Sequence, residues 1–248
     1  MPVEIFPVKG LPEVRPGHDI TAAIAHCVRT SGPQVLQHDI FVVAQKIVSK
    51  AEGRVVRLAE VTPSQRALAW AEAWSKDARV VELVLRETKR VVRMERGLII
   101  AETHHGFVCA NAGVDVSNAD EGTAILLPQN PDESARALQA RLSAAFECHL
   151  GVIVSDTFGR AWREGLVNVA LGVAGLSPLI DYRGRTDANG RPLHATVIAI
   201  ADELAAAAEL VMRKSERIPV AIVRGVAVES RSGSGAELIR AAEKDLFR

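Results

Sequence analysis

The 248-residue chain lacks a disulfide framework, a net charge, a membrane-length apolar run and a standard nucleotide-binding signature. Each absence removes a class of protein. Its three cysteines, Cys27, Cys109 and Cys148, are odd in number with no C-x-x-C spacing, which argues against a disulfide scaffold or zinc ribbon and leaves reduced, buried thiols as the expectation. The 30 basic and 30 acidic side chains balance, so no general field draws the chain to nucleic acid or anionic membrane, and a charged substrate needs a local pocket. No uncharged run reaches the roughly 18 residues of a membrane span, and no charged-then-apolar leader opens the sequence. A cytoplasmic protein without membrane or nucleic-acid partners is expected. There is no G-x-x-x-x-G-K-[ST], and Gly233-Ser234-Gly235-Ala236 lacks the third glycine and preceding strand of a dinucleotide fingerprint.

With 48% hydrophobic and 24% charged residues, the chain can bury one large domain or two intimate lobes. Periodicity predicts a mixed α/β pattern without repeats or low-complexity linkers. Strands are expected at Glu4 to Val8, from Asp39, at Val91 to Thr103, Val152 to Val154, Thr196 to Ala201 and Val220 to Val223. Helices are expected at Ile20 to Thr30 after the cap Asp19, Pro63 to Val84 as one or two, Pro131 to Leu150, Asp202 to Arg213 capped by Asp202, and Ala236 to Phe247. Trp70 and Trp74 read as core, Gly172 and Gly175 as close packing, and Gly233 and Gly235 as a loosened surface loop. Tyr182 to Leu193 reads as a polar loop at the substrate pocket.

Three segments carry chemistry. In Ser155-Asp156-Thr157-Phe158-Gly159-Arg160-Ala161-Trp162-Arg163-Glu164-Gly165, a carboxylate, a hydroxyl and two guanidiniums leave the end of an apolar strand, where α/β sheets gather ligands. Asp156 and Thr157 suit a hard cation, and Arg160 and Arg163 suit a phosphate. The alternative is an Asp156 N-cap on a following helix, with two solvated arginines that share a face if the segment is helical. Gly113-Val114-Asp115-Val116-Ser117-Asn118 has the same grammar. Asp115 is either an Asx-turn residue or a second carboxylate meeting Asp156 at one cation, which would relieve their repulsion.

The third segment is amino-terminal. Lys9-Gly10-Leu11-Pro12-Glu13-Val14 is a loop in which Leu11 and Pro12 offer an apolar shelf to a flat base and Glu13 an acceptor to a guanine edge. Lys46 and Lys50, four apart on a helical turn after the strand from Asp39, are either a solvated face or phosphate contacts. His104 and His105, adjacent in or near a strand, would point to opposite faces, and a structural role is the simpler reading.

In this order, PVxGLPEV, QKIVSKAEGR, NAGVDVSN, SDTFGRAWREG, DYRGRTDANGRPL, ADELAAAAELVM, IPVAIVRG and EKDLF resemble the coenzyme F420:L-glutamate ligase family (F420-0:gamma-glutamyl ligases) from Ile5 to Phe247. The resemblance implies a two-lobed fold particular to these ligases, neither P-loop nor Rossmann, working as a homodimer. The whole of 1–248 would be one ligase unit, without the C-terminal nitroreductase-like domain of some relatives. It implies GTP-dependent joining of L-glutamate to the carboxylate of the deazaflavin F420-0, with further gamma-linked glutamates. GTP would meet Leu11, Pro12, Glu13, Val14, Gln45, Lys50 and Asn118, with Met212 and Lys214 in a phosphate-contacting stretch. Magnesium or manganese, two ions per site, would lie on Asp115, Asp156 and Thr157, and potassium would take part. The pattern departs at Gln45, Leu166 and Arg213, where the family has serine, glutamine and glycine.

The chemistry agrees with that resemblance. A carboxylate meets an amine at neutral pH without reacting, so phosphoryl transfer must first make its oxygen a leaving group, giving an acyl phosphate. That step needs positioning and neutralised phosphate oxygens more than covalent help, and Lys50, Arg160 and Arg163 could neutralise them. A metal-dependent kinase or phosphohydrolase would use the same residues, and a nucleotide-binding regulator without chemistry is the other rival.

Overall fold

The computed structural model describes residues 2–117 and 119–246. In chain order its elements are β1 (Glu4–Pro7), α1 (Ile20–Ser31), β2 (Ile40–Ala44), α2 (Gln45–Ala51), β3 (Val55–Arg57), α3 (Gln65–Trp74), α4 (Ala78–Arg86), β4 (Thr88–Glu95), β5 (Leu98–Thr103), β6 (Val108–Ala110), β7 (Thr123–Ile125), α5 (Pro131–Phe146), β8 (Gly151–Arg160), β9 (Arg163–Ala174), β10 (Ile180–Asp181), β11 (Val197–Ile198), α6 (Ile200–Met212) and β12 (Val220–Arg224). This is the mixed α/β class that the periodicity predicts.

The main sheet has the order β1-β12-β2-β8-β9, with β2 and β8 parallel and the other neighbours antiparallel. Because strand side chains alternate, Phe41 and Val43 join Val152 and Val154 on one face, under Ile24 of α1 and Leu138 and Leu142 of α5. Ile40, Val42 and Ile153 pack on the other face against Leu204, Ala205 and Ala208 of α6. Cover on both faces explains why β2 and the start of β8 are continuous apolar runs rather than alternating ones. A third cluster joins Ala67 and Ala71 of α3 and Val81, Leu83 and Val84 of α4 to Ile99 and Ala101 of the sheet β4-β5-β6.

Local rules set most boundaries. The Asp19 carboxylate accepts from the Ala22 N–H at 3.0 Å and starts α1. Gly172 lets β9 lie against the first turn of α5, since a Cβ there would stand 2.0 Å from the Pro131 carbonyl oxygen. Cys27 and Cys109 are buried and all three thiols are free.

Several expectations change. The stretch from Val91 to Thr103 is a hairpin turning at Arg96 and Gly97, both at positive φ. Residues 63–84 form two helices, divided where Ser75 adopts φ +51. Helix α5 stops at Phe146 because Glu147 takes the left-handed conformation. The strand from Thr196 shrinks to β11, and α6 begins at Ile200. Asp202 lies inside that helix and accepts from the Ala170 N–H at 2.8 Å, tying α6 to β9 rather than capping. No long final helix forms from Ala236: short turns at Gly235–Leu238 and Ala242–Lys244 replace it, and Phe247 lies outside the described residues. Gly233 and Gly235 are packing glycines, their absent Cβ positions 2.0 and 2.2 Å from the carbonyls of Leu176 and Leu171. Trp70 packs on the third cluster, but Trp74 is 41% exposed.

Candidate active site

The carboxyl ends of the parallel pair β2 and β8 place the site. Ala44 pairs with Ser155, so the chain leaves β2 directly into α2 beside Asp156. β8 does not end there. It continues to Arg160 and turns through Ala161 and Trp162 into β9, and the register shift after Val154 is a bulge next to Asp156. The reading of Asp156 as a helix N-cap is therefore replaced by a strand position.

Asp115 arrives from a separate loop. Gly113 adopts φ +73 with Leu127 packed so closely that a Cβ would meet it at 2.6 Å. Beyond it, Asp115 exchanges backbone hydrogen bonds with Ile125. Its Oδ1 accepts from the Ser117 N–H at 2.6 Å, so it is an Asx-turn residue and a site carboxylate at once. Its Oδ2 meets the Lys46 ammonium at 2.6 Å. Burial pushes this carboxyl up, but the bonds from Lys46 and Ser117 outweigh it and hold it below the usual range.

Asp156 behaves oppositely. Burial pushes its carboxyl up to about 6, against the Thr157 N–H and the Lys46 and Lys214 ammoniums, while the Asp115 charge adds to the rise. Asp156 thus feels the charge of Asp115 and that of Lys46, which is paired directly to Asp115. The Thr157 hydroxyl donates to Asn168 Oδ1 at 2.6 Å and accepts from the Lys214 ammonium. Asn168 Nδ2 in turn donates to Glu209 Oε2 of α6 at 3.0 Å, and Lys214 lies 3.8 Å from the same carboxylate.

This donor set fits a hard divalent cation. Its oxygens belong to two carboxylates and a hydroxyl, and the Asp156 carboxyl, raised chiefly by burial, would be held in its charged form by a cation. Among the described residues no group of three or more His, Cys, Asp or Glu gathers as a closed cage. A magnesium-type ion suits such a site, since it keeps open positions for water and phosphate oxygens.

The remaining predicted residues fall into three groups. Leu11 packs against the core and Val14 is buried, while Pro12 and Glu13 are exposed. Glu13 and Lys50 form an ion pair, so guanine-edge acceptor and phosphate cation hold one another in this structure. Gln45 is buried, its Oε1 accepting from Ser49 at 2.8 Å and its Nε2 without a partner, as is the nearby Ser155 Oγ. Met212 is buried in the cluster under α6, so only its backbone can reach a ligand. Asn118 lies outside the described residues. Arg160 and Arg163 are exposed and directly opposed across the hairpin, so they share a face through strand pairing rather than a helix. No carboxylate among the described residues pairs with Arg163; Arg160 donates to the Glu164 carbonyl at 3.2 Å. His104 and His105 occupy a turn, not a strand, and anchor backbone carbonyls of Arg86 and of Pro128 and Gln129.

Sequence reasoning overlooked Asn168 and Glu209, while Ser117 falls in the loop that it singled out. The signal for Glu209 was a lone late carboxylate in the alanine-rich helix Ala201-Asp202-Glu203-Leu204-Ala205-Ala206 onward; Asn168 had none.

The family described as F420-0:gamma-glutamyl ligase matches residues 10–225, a stretch that includes every element of this site. The chain belongs to that family. Among relatives of the F420-0:gamma-glutamyl ligases, the coenzyme F420:L-glutamate ligase of Methanothermobacter thermautotrophicus is 47% identical over 100% of both chains. Those of Methanopyrus kandleri and Archaeoglobus fulgidus are 43% identical, over 99% of this chain and 98% of the relative, and 40% identical, over 100% and 97%. Arg213 ends α6 at φ +49 and ψ 151, a conformation natural to glycine and strained for arginine, and is followed by Lys214, which bonds Thr157.

Proposed function

We propose that this protein is a GTP-dependent ligase that joins the amine of L-glutamate to the carboxylate of F420-0, in coenzyme F420 biosynthesis, through an acyl phosphate, and adds further gamma-linked glutamates. One observation carries the reading: beside the end of β2, Asp156 of β8 feels the charges of Asp115, Lys46 and Lys214, with Lys46 paired to Asp115 and Lys214 bonded to the Thr157 hydroxyl. This is the equipment of phosphoryl transfer, in which positioning and charge neutralisation replace covalent catalysis.

Asp115, Asp156 and Thr157 would hold magnesium or manganese, which supplies electrostatic stabilisation of the transferring phosphoryl oxygens. Potassium is a further expected activator. Leu11, Pro12, Glu13, Val14, Gln45, Lys50 and Asn118 would bind GTP, with the unpartnered Gln45 amide offering a buried donor. Lys214 would contact its phosphates, and Met212 its backbone surroundings. Arg160 and Arg163 would meet phosphate on F420-0 from the hairpin tip, where two opposed guanidiniums favour an anion between them. A cytoplasmic homodimer is the assembly that fits this reading, and among the described residues no helix is long and apolar enough to cross a membrane.

Incubation with F420-0, GTP, glutamate and manganese, followed by mass spectrometry, tests the proposal. A mass increment of one or more glutamyl units that requires GTP and glutamate is the expected result. GTP turnover indifferent to glutamate, with no such product, would place the chain with kinases or phosphohydrolases instead.

A further inference from the structure

We propose that Lys46 is a resident cation of the two-carboxylate centre, displaced from Asp115 when a divalent ion binds and thereby released to the nucleotide phosphates. The inference rests on the reading of Asp115 and Asp156 as metal ligands given above. The Lys46 ammonium meets three acceptors: Asp115 Oδ2 at 2.6 Å, Ser117 Oγ at 2.9 Å and the Ser117 carbonyl at 3.2 Å. That is the full donor capacity of an ammonium group. It sits on the carboxylate oxygen that a hard cation would use. The other oxygen, Oδ1, is held by the Ser117 N–H at 2.6 Å, a backbone group that cannot swing away. Of the two partners of Asp115, only Lys46 has a flexible stem.

Two cations on one carboxylate oxygen repel, so a divalent ion and Lys46 compete for Oδ2. Lys46 cannot leave the site, because its backbone is in the first turn of α2, directly after β2 and beside the Ser155 and Asp156 register. Its released ammonium therefore remains where an incoming phosphate needs a counter-charge. The arrangement makes metal binding and phosphate binding favour one another: each takes one partner of an ion pair that neither can use while it is closed.

The test measures manganese binding to the nucleotide-free protein by electron paramagnetic resonance of the unbound ion, for wild type, Lys46→Met and Lys46→Gln, with circular dichroism confirming the fold of each. Both variants are expected to bind manganese about tenfold or more tightly than wild type. At saturating manganese, Lys46→Met is expected to bind GTP about tenfold or more weakly in calorimetry, with Lys46→Arg recovering much of the loss. Unchanged or weaker manganese affinity in both folded variants overturns competition, as does failure of every variant to bind manganese. Unchanged GTP affinity overturns release to the phosphates. Glutamyl addition is scored separately by mass spectrometry, so absence of ligase product in wild type strikes the ligase reading and leaves the manganese comparison standing.

Discussion

Asp156 is a carboxylate that burial holds above its ordinary range. Burial opposes its ionisation and the nearby Asp115 charge adds to this, an environment in which a bound cation would favour the charged form. Asp156→Asn and Asp115→Asn keep shape and remove charge. Each is expected to lower glutamyl transfer by orders of magnitude at limiting manganese while thermal unfolding stays near that of wild type; near-normal turnover would remove that residue from the metal ligands. Arg213 is the second residue whose environment speaks. Non-glycine residues in its backbone region cost on the order of 1–3 kcal/mol, and the entropy glycine regains in the unfolded chain offsets roughly 0.4–1 kcal/mol. Arg213→Gly is thus expected to raise unfolding free energy by about 1 kcal/mol in urea titration. A loss of stability would show that the strain is absent.

At the scale of elements, the β8–β9 hairpin and the α5–β9 contact matter most. Asp156 and Arg160 stand four positions apart, about 13 Å along a strand at roughly 3.3 Å per residue, so arginines that bind substrate would meet a different part of it from the carboxylates. Arg160→Lys keeps charge but loses the planar fork, and turnover is expected to fall about tenfold, with Arg163→Lys milder. Kinetic silence of Arg160→Lys toward both F420-0 and GTP would sink that assignment. In the sheet interior, Gly172→Ala drives a methyl into the Pro131 carbonyl, at the start of α5. The chain can relieve it only by moving a helix off a strand, so a loss of about 3 kcal/mol is expected, at the upper end of overpacking costs. Chemical denaturation reads it, and a wild-type midpoint would show that the contact is looser than drawn.

For the whole molecule, Asp202 links packing to pH. Burial raises its carboxyl above the ordinary value, and the Ala170 N–H only partly opposes this. A raised folded pKa means that the native state binds the proton more tightly than the unfolded chain does. Stability from this group is therefore greatest below the ordinary carboxylate value and declines as pH rises through the raised one. Asp202→Asn retains an acceptor for Ala170 and removes the titration. It is expected to gain stability over wild type at pH 7 and to differ little at pH 3, measured by thermal denaturation in the two buffers. An equal effect at both pH values would mean that hydrogen bonding, not charge, decides.

Much of the architecture was legible in the chain because its causes are local. The continuous apolar runs of β2 and β8 announce strands covered on both faces, Asp19 announces the start of α1, and the small residues around Gly172 announce close packing. The nearness of Asp115 to Asp156, expected from carboxylates that follow apolar strands, is seen in the charge that one exerts on the other. What failed did so where tertiary contacts outvote local preference: Asp202 bonds β9 instead of capping, the segment from Ala236 is held by contacts of Gly233 and Gly235 rather than coiling into a helix, and Arg160 and Arg163 meet across a hairpin. Residue types and their order alone determined the fold class and the family. Only the tertiary structure decided that Lys46 sits on Asp115, that Glu13 closes on Lys50 and that Asn168 and Glu209 support Thr157, because those pairs are joined by side chains reaching between segments far apart in the chain, which no local periodicity records.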